Sequence, residues 1–197
     1  SIRLRVLLYH DIAPQEHADF ERQLGWLSRH WTFISPEKFA AVISGKEKIQ
    51  NKSLLLTFDD GFSSNLEVAK KILNPMGIQA LFFVVSDLVA IEDREEARQF
   101  IVHHVQPGLS MEKLPPYLNS MKWSDLELLL EQGHTIGAHT RSHARLSEIS
   151  SSGGLEDEIV SSADSLGNHL GVNIEHFAYT FGDLASFSSQ SLSVAQK

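Results

Sequence analysis

An α/β fold, with a parallel sheet and crossover helices, is the architecture this sequence predicts, and three observations predict it. Short apolar runs alternate with amphipathic stretches along the 197 residues, the pattern of strands joined by helices. The strongest runs, Leu54-Leu55-Leu56 and Ala80 to Val85, suit buried strands. Residues of chemical use follow several different predicted strands at one end: His10-Asp11, Asp59-Asp60 and His139. An open doubly wound sheet and a barrel both fit the alternation. The shared rim tips the reading to a β/α barrel, whose active site lies at that end. Few strands are visible for closure, and typical barrels run to about 250 residues. A barrel incomplete at the C-terminus of the chain is therefore expected, with a sheet edge open to a partner or a second copy.

Ile2 to Tyr9 reads as the first strand, and Glu16 to His30, with Phe20, Leu24 and Leu27 at helical spacing, as an amphipathic helix. Trp31 to Ile34 gives a short strand. Ser35-Pro36 then supplies an N-cap with proline at the first helical position, and Gly45 ends that helix. Ser53 to Phe58 is the next strand. Ser64 and Glu67 have capping-box spacing for a helix through Leu73, stopped by Asn74-Pro75 and Gly77. Ile78 to Val85 is a third strong strand.

Residues 88–120 read as an insertion within one domain spanning 1–197, with a helix over Glu92 to Val105 and breaks at Pro107, Gly108, Pro115 and Pro116. Ser124 and Glu127 repeat the capping-box spacing before a helix ending at Gly133. His134 to Ala138 is a short strand that delivers His139. Ser150 to Gly154 reads as a loop, Leu155 to Leu170 as a helix, Glu175 to Tyr179 as a further strand and Ser188 to Lys197 as the start of one more helix.

Composition removes several function classes. The net charge is −8 with no cluster of lysine or arginine, which disfavours nucleic acid as a partner. Cysteine is absent, so neither a disulfide scaffold nor a thiolate metal site is available. No apolar stretch approaches the length of a membrane span. The chain opens with Ser and shows no signal-type segment at its start.

Two motifs carry the chemistry, Thr57-Phe58-Asp59-Asp60-Gly61 and His139-Thr140-Arg141-Ser142-His143. An Asp-Asp-Gly on its own is most often a turn, and a lone His-x-x-x-His arises easily among 10 histidines. Both at strand ends on a repeating strand-helix background are harder to dismiss. A carboxylate with paired imidazoles suits a divalent ion of the zinc type, and a second carboxylate can serve as base for a water. Two adjacent carboxylates are also tolerable when a cation lies between them. His10-Asp11, at the same rim, fits a substrate contact or a loop cap equally well. His103 and His104 lie on a helix where neighbours point apart. Trp26, Trp31 and Trp123 read as packing, and Glu92 to Glu96 as a solvated helix face.

The motifs TFDDG at 57–61, GAHTRSH at 137–143 and FAYTFG at 177–182 resemble, in order and approximate spacing, the first three motifs of the polysaccharide deacetylases of carbohydrate esterase family 4. LLYHDI at 7–12 and MKWSDLELLLEQGHTIGAHT at 121–140 are also similar to that family, and only 88–120 has no good match. The resemblance implies a distorted parallel barrel that removes N-acetyl, sometimes O-acetyl, groups from an N-acetylated glycan, with a metal-activated water as nucleophile. It implies Asp60, His139 and His143 as metal ligands, Asp59 as base and the Phe181 backbone N–H as an oxyanion donor. The metal implied is one divalent ion, zinc first, with cobalt or nickel as substitutes. Tyr179 and Phe181 suit a platform for a sugar ring, Tyr179 fitting a plain core role equally well, and His10 a substrate contact or a substitute general acid. Two departures stand out: Ala178 occupies the place of an arginine that often pairs with the base, and Thr180 that of a proline. The family's apolar pocket and general-acid histidine have no counterpart in 1–197. The implied substrate places the protein outside the cytoplasm or at the cell envelope, a cytoplasmic site being also compatible. Two other functions fit the same residues: amide hydrolysis on a small non-sugar substrate, and a non-catalytic glycan-binding or structural module that keeps the metal site.

Overall fold

The computed structural model describes residues 2–196. Its elements run β1 (Arg3–Tyr9), α1 (His17–Ser28), β2 (Thr32–Phe33), α2 (Pro36–Ile43), β3 (Lys52–Phe58), α3 (Ser63–Val68), β4 (Leu81–Val84), α4 (Ser86–Ala90), α5 (Arg94–Phe100), α6 (Trp123–Glu131), β5 (Thr135–Ala138), α7 (Ser152–Leu170) and α8 (Ser189–Ala195). A 3-10 turn at Pro14–Glu16 leads into α1, and π-helical turns at Ala69–Leu73 and Ile101–Val105 extend α3 and α5. Lys197, the far end of the predicted last helix, lies outside the described residues.

All strand pairs are parallel. β3 is the centre: β1 runs along one edge in register from Arg3↔Lys52 to Tyr9↔Phe58. The other edge is divided, with β2 against Ser53 and Leu54 and β4 against Thr57 and Phe58. β5 follows β4 from Leu81↔Thr135 to Val84↔Ala138. The sheet does not close among the described residues, so the expected barrel is present as an open arc with β1 at one margin. Val6 and Leu8 of β1 are accordingly half exposed, at 51% and 50%. The predicted strand at 175–179 is reduced to a single parallel bridge, Phe177 to Ala138, flanked by Ala138 N–H donating to His176 O and Ala178 N–H to Ala138 O.

Period-2 alternation sorts the strand residues into two faces. Leu56, Phe58, Phe82, Val84, Ile136 and Ala138 pack outward against Phe20 and Leu24 of α1, Leu66 and Val68 of α3, Leu126 and Leu129 of α6 and Leu166 of α7. Leu55, Leu81 and Phe83 point to the inner face, covered by Phe39 of α2 and Ala178. Gly137 belongs to that inner face. A Cβ there would stand 2.7 Å from the Phe83 ring and 3.0 Å from His176 O, so only glycine lets Phe83 and the 176–178 segment approach together.

Residues 88–120 form a small cluster of their own, in which Phe62, Val85, Leu88, Ile101, Leu114 and Leu118 are buried together. The proline-rich part is ordered by buried Arg98, which donates to the carbonyls of Leu118 at 2.7 Å, Pro115 at 2.9 Å and Leu114 at 3.3 Å. The acidic run at 92–96 is exposed, as expected, and Asp93 caps α5 by accepting from Glu96 N–H at 2.8 Å.

Several helix starts differ from the sequence pattern. Ser35 caps α2 as expected, accepting from Lys38 N–H at 3.1 Å. Phe62, not Ser64, is the N-cap of α3; Ser64 Oγ is buried without a partner, and Glu67 pairs instead with Lys71 at 2.9 Å. α6 starts two residues earlier than predicted, with Asp125 accepting from Lys122 N–H at 2.8 Å in place of the Ser124–Glu127 pair. The expected loop at 150–154 is mostly helix, because Ser151 accepts from Gly154 N–H at 3.1 Å and starts α7 before the two glycines. The predicted Glu92–Val105 helix starts two residues later, at Arg94, and widens into a π-helical turn at Ile101.

Candidate metal centre

Asp59 and Asp60 follow directly on β3 and His139 directly on β5, so parallel pairing through β4 places both motifs at the C-terminal edge of the sheet. The chain turns sharply at each point. The four non-glycine residues with positive φ among the described residues are Asp60 (78°), Thr140 (62°), His143 (61°) and Phe181 (64°). All four belong to the motifs singled out in the sequence. Left-handed backbone costs on the order of 1–3 kcal/mol per such residue and persists only where surrounding contacts determine it. The strain is concentrated at one place.

The side chains converge. His139 Nε2 and His143 Nε2 each lie 3.4 Å from Asp60 Oδ1, and His139 Nε2 lies 3.8 Å from Asp59 Oδ2. Asp59, Asp60, His139 and His143 are all buried. The other nitrogen of each ring is already committed: His139 Nδ1 stands 2.9 Å from Ala178 O and His143 Nδ1 2.9 Å from His104 O. A carbonyl oxygen only accepts, so both Nδ1 atoms carry the proton and donate. In the neutral rings, both Nε2 lone pairs then face a carboxylate oxygen that itself has no hydrogen-bond partner. Three electron-rich atoms this close suit a cation among them, a metal ion or a proton on one ring.

The spacing fits one. Ligands about 2.1 Å from a tetrahedral zinc-type ion are separated by about 3.4 Å, the separation of both imidazoles from Asp60. Candidate ligand atoms of Asp60, His139 and His143 all lie within 4.8 Å of one another. These three residues form a group able to hold a divalent metal, and the carbonyl contacts at Nδ1 fix the rings as second-layer partners of metal-binding histidines do.

The electrostatics separate the two carboxylates. Burial opposes ionisation of Asp60, but the two facing imidazoles, when protonated at Nε2 in the absence of metal, outweigh it and hold its carboxyl well below the usual range. Asp59 moves the other way: burial raises it, the Asp60 charge adds to the rise, and His139 and His10 only partly offset it. Burial disfavours charge on His139, yet Asp60 and Asp59 prevail and raise it. Adjacent acids with opposed shifts are suited to different tasks.

The cavity over these groups has a volume of about 330 Å³ and is lined by Leu8, His10, Asp59, Asp60, Val105, Gln106, His139, His143, Tyr179, Phe181 and Gly182. Every site residue expected from the sequence therefore borders it. Phe181 packs edge-on against His143 at 4.8 Å between centroids, and Arg145 holds it from the other side at 5.4 Å while donating to both oxygens of Asp183 at 2.7 Å. Tyr179 packs against Phe177 and Phe187 and shares its ring between core and cavity. Val105, Gln106 and the His104 carbonyl come from residues 88–120, which the motifs did not mark. The His103 and His104 side chains are exposed, and His104 reaches the site through its backbone alone.

Solved structures share this architecture. IcaB from Ammonifex degensii superposes with a TM-score of 0.76 at 20% identity, covering 99% of this chain and 81% of that one. The Streptococcus pyogenes deacetylase PplD, determined in complex with acetate, gives 0.74 at 22% identity, covering 98% and 79%. A de-N-acetylase from Aggregatibacter actinomycetemcomitans gives 0.72 at 18% identity, covering 98% and 84%. At such identities the likeness concerns the fold. YxkH of Bacillus subtilis (strain 168), provisionally named a polysaccharide deacetylase, is 22% identical over 189 residues, and the chain spans 65% of its length. The model of the family described as polysaccharide deacetylase matches residues 46–197, a span containing both motifs and the whole candidate ligand set, and on that match this chain belongs to the polysaccharide deacetylase family.

Proposed function

We propose that this chain carries the catalytic centre of a metal-dependent deacetylase that removes N-acetyl, or O-acetyl, groups from a polysaccharide. The observation that carries the reading is the pair of imidazoles, each locked by a backbone carbonyl, aimed at equal distance at one unpartnered Asp60 oxygen. Asp60, His139 and His143 would hold the ion, zinc by preference and cobalt or nickel as substitutes. When bound, such an ion supplies Lewis-acid polarisation of an acyl carbonyl and a water whose pKa is lowered from 15.7 to about 7.

The remaining work falls to this chain's own residues. Asp59, raised by burial and by its neighbour's charge, is the base that accepts a proton at its carboxylate, nearer the operating pH than an ordinary aspartate. The Phe181 N–H, held by the Arg145–Asp183 pair, is the donor toward charge developing on the acyl oxygen. Leu8, Tyr179 and Phe181 offer apolar surface to a sugar ring, and His10 a polar contact at the same rim. His10, which lines the same cavity, is our candidate substitute for returning a proton to the leaving amine. PplD was solved with acetate, the product such chemistry releases, which supports an acyl-transfer reading of the shared fold. No described helix is long and apolar enough to cross a membrane. A location at the cell envelope follows from a polymeric glycan as substrate.

The test is acetate release from an N-acetylglucosamine oligomer with zinc, cobalt or nickel supplied, and again after chelation. Release that disappears on chelation and returns with metal supports the reading. Metal binding with no acetate release from either N- or O-acetylated glycans would favour a binding module.

A further inference from the structure

The segment between the two histidines is held by a helix that contributes nothing to the cavity. Thr140 and His143 both adopt left-handed backbone, and the N–H groups of Arg141 and Ser142 between them turn to one acceptor. That acceptor is Glu158 of α7: its Oε2 takes Arg141 N–H at 3.1 Å and Ser142 N–H at 2.9 Å, and its Oε1 takes Ser142 Oγ–H at 2.6 Å. The Glu158 main-chain oxygen accepts from Arg141 N–H as well, at 2.9 Å. Successive backbone N–H groups converging on one anion form a concavity that binds negative charge, and here the anion is built into the chain.

The Arg141 side chain extends the clamp by pairing with Asp157 of α7 and with Asp87 of α4 at 3.3 Å. These outer pairs are exposed and screened. The Glu158 contacts to Ser142 are part-buried and charge-assisted, and with the exposed one to Arg141 N–H they are directed at the segment whose bend fixes where His143 points.

We propose that Glu158 is a positioning residue for the metal ligands: its carboxylate fills the turn between His139 and His143 and fixes the separation of their Nε2 atoms before any ion arrives. The inference rests on Asp60, His139 and His143 being the ligand set. Without Glu158 the strained turn relaxes to ordinary backbone angles, and each ion must then impose the geometry itself. Partners outside the ligand shell are typically worth about 10–100-fold in metal affinity. A purely structural role, stitching α7 to β5, would lower stability and leave affinity alone.

The experiment measures the zinc dissociation constant and metal-free thermal midpoint of the unmodified chain, Glu158→Ala, Glu158→Gln and Asp157→Ala. Expected are weakening of about tenfold or more for Glu158→Ala, partial recovery in Glu158→Gln, whose amide oxygen still accepts the N–H groups, and a value within about twofold of unmodified for Asp157→Ala, the same charge lost one residue away. If Glu158→Ala does not fold, Glu158→Asp replaces it and must weaken zinc in the same direction by drawing the carboxylate back one methylene. Affinity unchanged in Glu158→Ala, or in Glu158→Asp where that stands in, overturns the proposal, as does equal weakening in Asp157→Ala. Failure of the unmodified chain to bind zinc would instead defeat the ligand assignment itself.

Discussion

His143 donates from Nδ1 to the backbone carbonyl of His104 at 2.9 Å, across 39 residues of sequence. One of the candidate ligands thus has its tautomer set by the least patterned part of the chain. The same segment returns to the first motif: Ser63 N–H donates to Asn119 O at 2.8 Å and Met121 N–H to Gly61 O at 2.9 Å. The segment therefore reaches His143 through the His104 carbonyl, and at its end Asn119 and Met121 tie to Ser63, just past the first motif, and to Gly61 within it.

The two aspartates should separate by function. Asp59→Asn keeps every candidate ligand and removes a proton acceptor, so metal stoichiometry should hold while acetate release falls roughly 10²–10⁴-fold. Asp60→Asn should weaken metal binding directly. Measuring bound metal and acetate on the same samples decides the matter, and equal metal loss in both variants would show that their roles are misassigned.

Gly137→Ala should destabilise the chain by about 1–3 kcal/mol, since the new Cβ meets the Phe83 ring at 2.7 Å and His176 O at 3.0 Å in a packed interior. His139 lies two residues on, so metal affinity should fall with stability. Denaturant midpoints of the metal-free proteins give the first quantity and zinc titration the second; an unchanged midpoint would mean that the inner face is looser than described.

Much of this was legible in the sequence because strong local patterns and the tertiary structure agree. The run at 54–58 is a strand because both its faces are covered, and Asp59, Asp60 and His139 follow directly where strands end, with His143 in the turn after β5. The failures have a common cause. Ser64 has the right spacing to cap a helix, but Phe62 begins it because the chain there is tied to Asn119. Glu175 to Tyr179 has strand composition, yet its approach to Gly137 leaves room for one bridge only. The His104 carbonyl and the Glu158 carboxylate act on backbone or ring atoms far along the chain, and no residue spacing encodes such contacts.

His134 should make stability depend on acid. Its Nδ1 accepts from Ala80 N–H at 3.0 Å and its Nε2 donates to Asn74 Oδ1 at 2.7 Å, and burial lowers its pKa from 6.5 to about 4. Between those values the unfolded chain binds the proton that the folded chain refuses, so stability is complete above pH 6.5 and is lost as pH falls toward 4. His134→Asn should be less stable at neutral pH and lose less on acidification. Urea midpoints at several pH values, in metal-free buffer, check this; parallel pH curves for the two proteins would contradict it.

Arg145→Met should leave zinc affinity within about twofold while lowering acetate release roughly tenfold or more, because it frees Phe181 and Asp183 without touching a candidate ligand. Loss confined to the Michaelis constant would place Arg145 in substrate binding alone.

Whether one divalent ion sits among Asp60, His139 and His143 is decided by zinc-edge X-ray absorption on the chain loaded with one equivalent of zinc. The expected spectrum is a shell of nitrogen and oxygen ligands at about 2.0–2.2 Å with the outer-shell scattering of two imidazoles, reduced to one imidazole in His143→Ala. A spectrum without imidazole scattering, or one identical in the unmodified chain and His143→Ala, would contradict that placement.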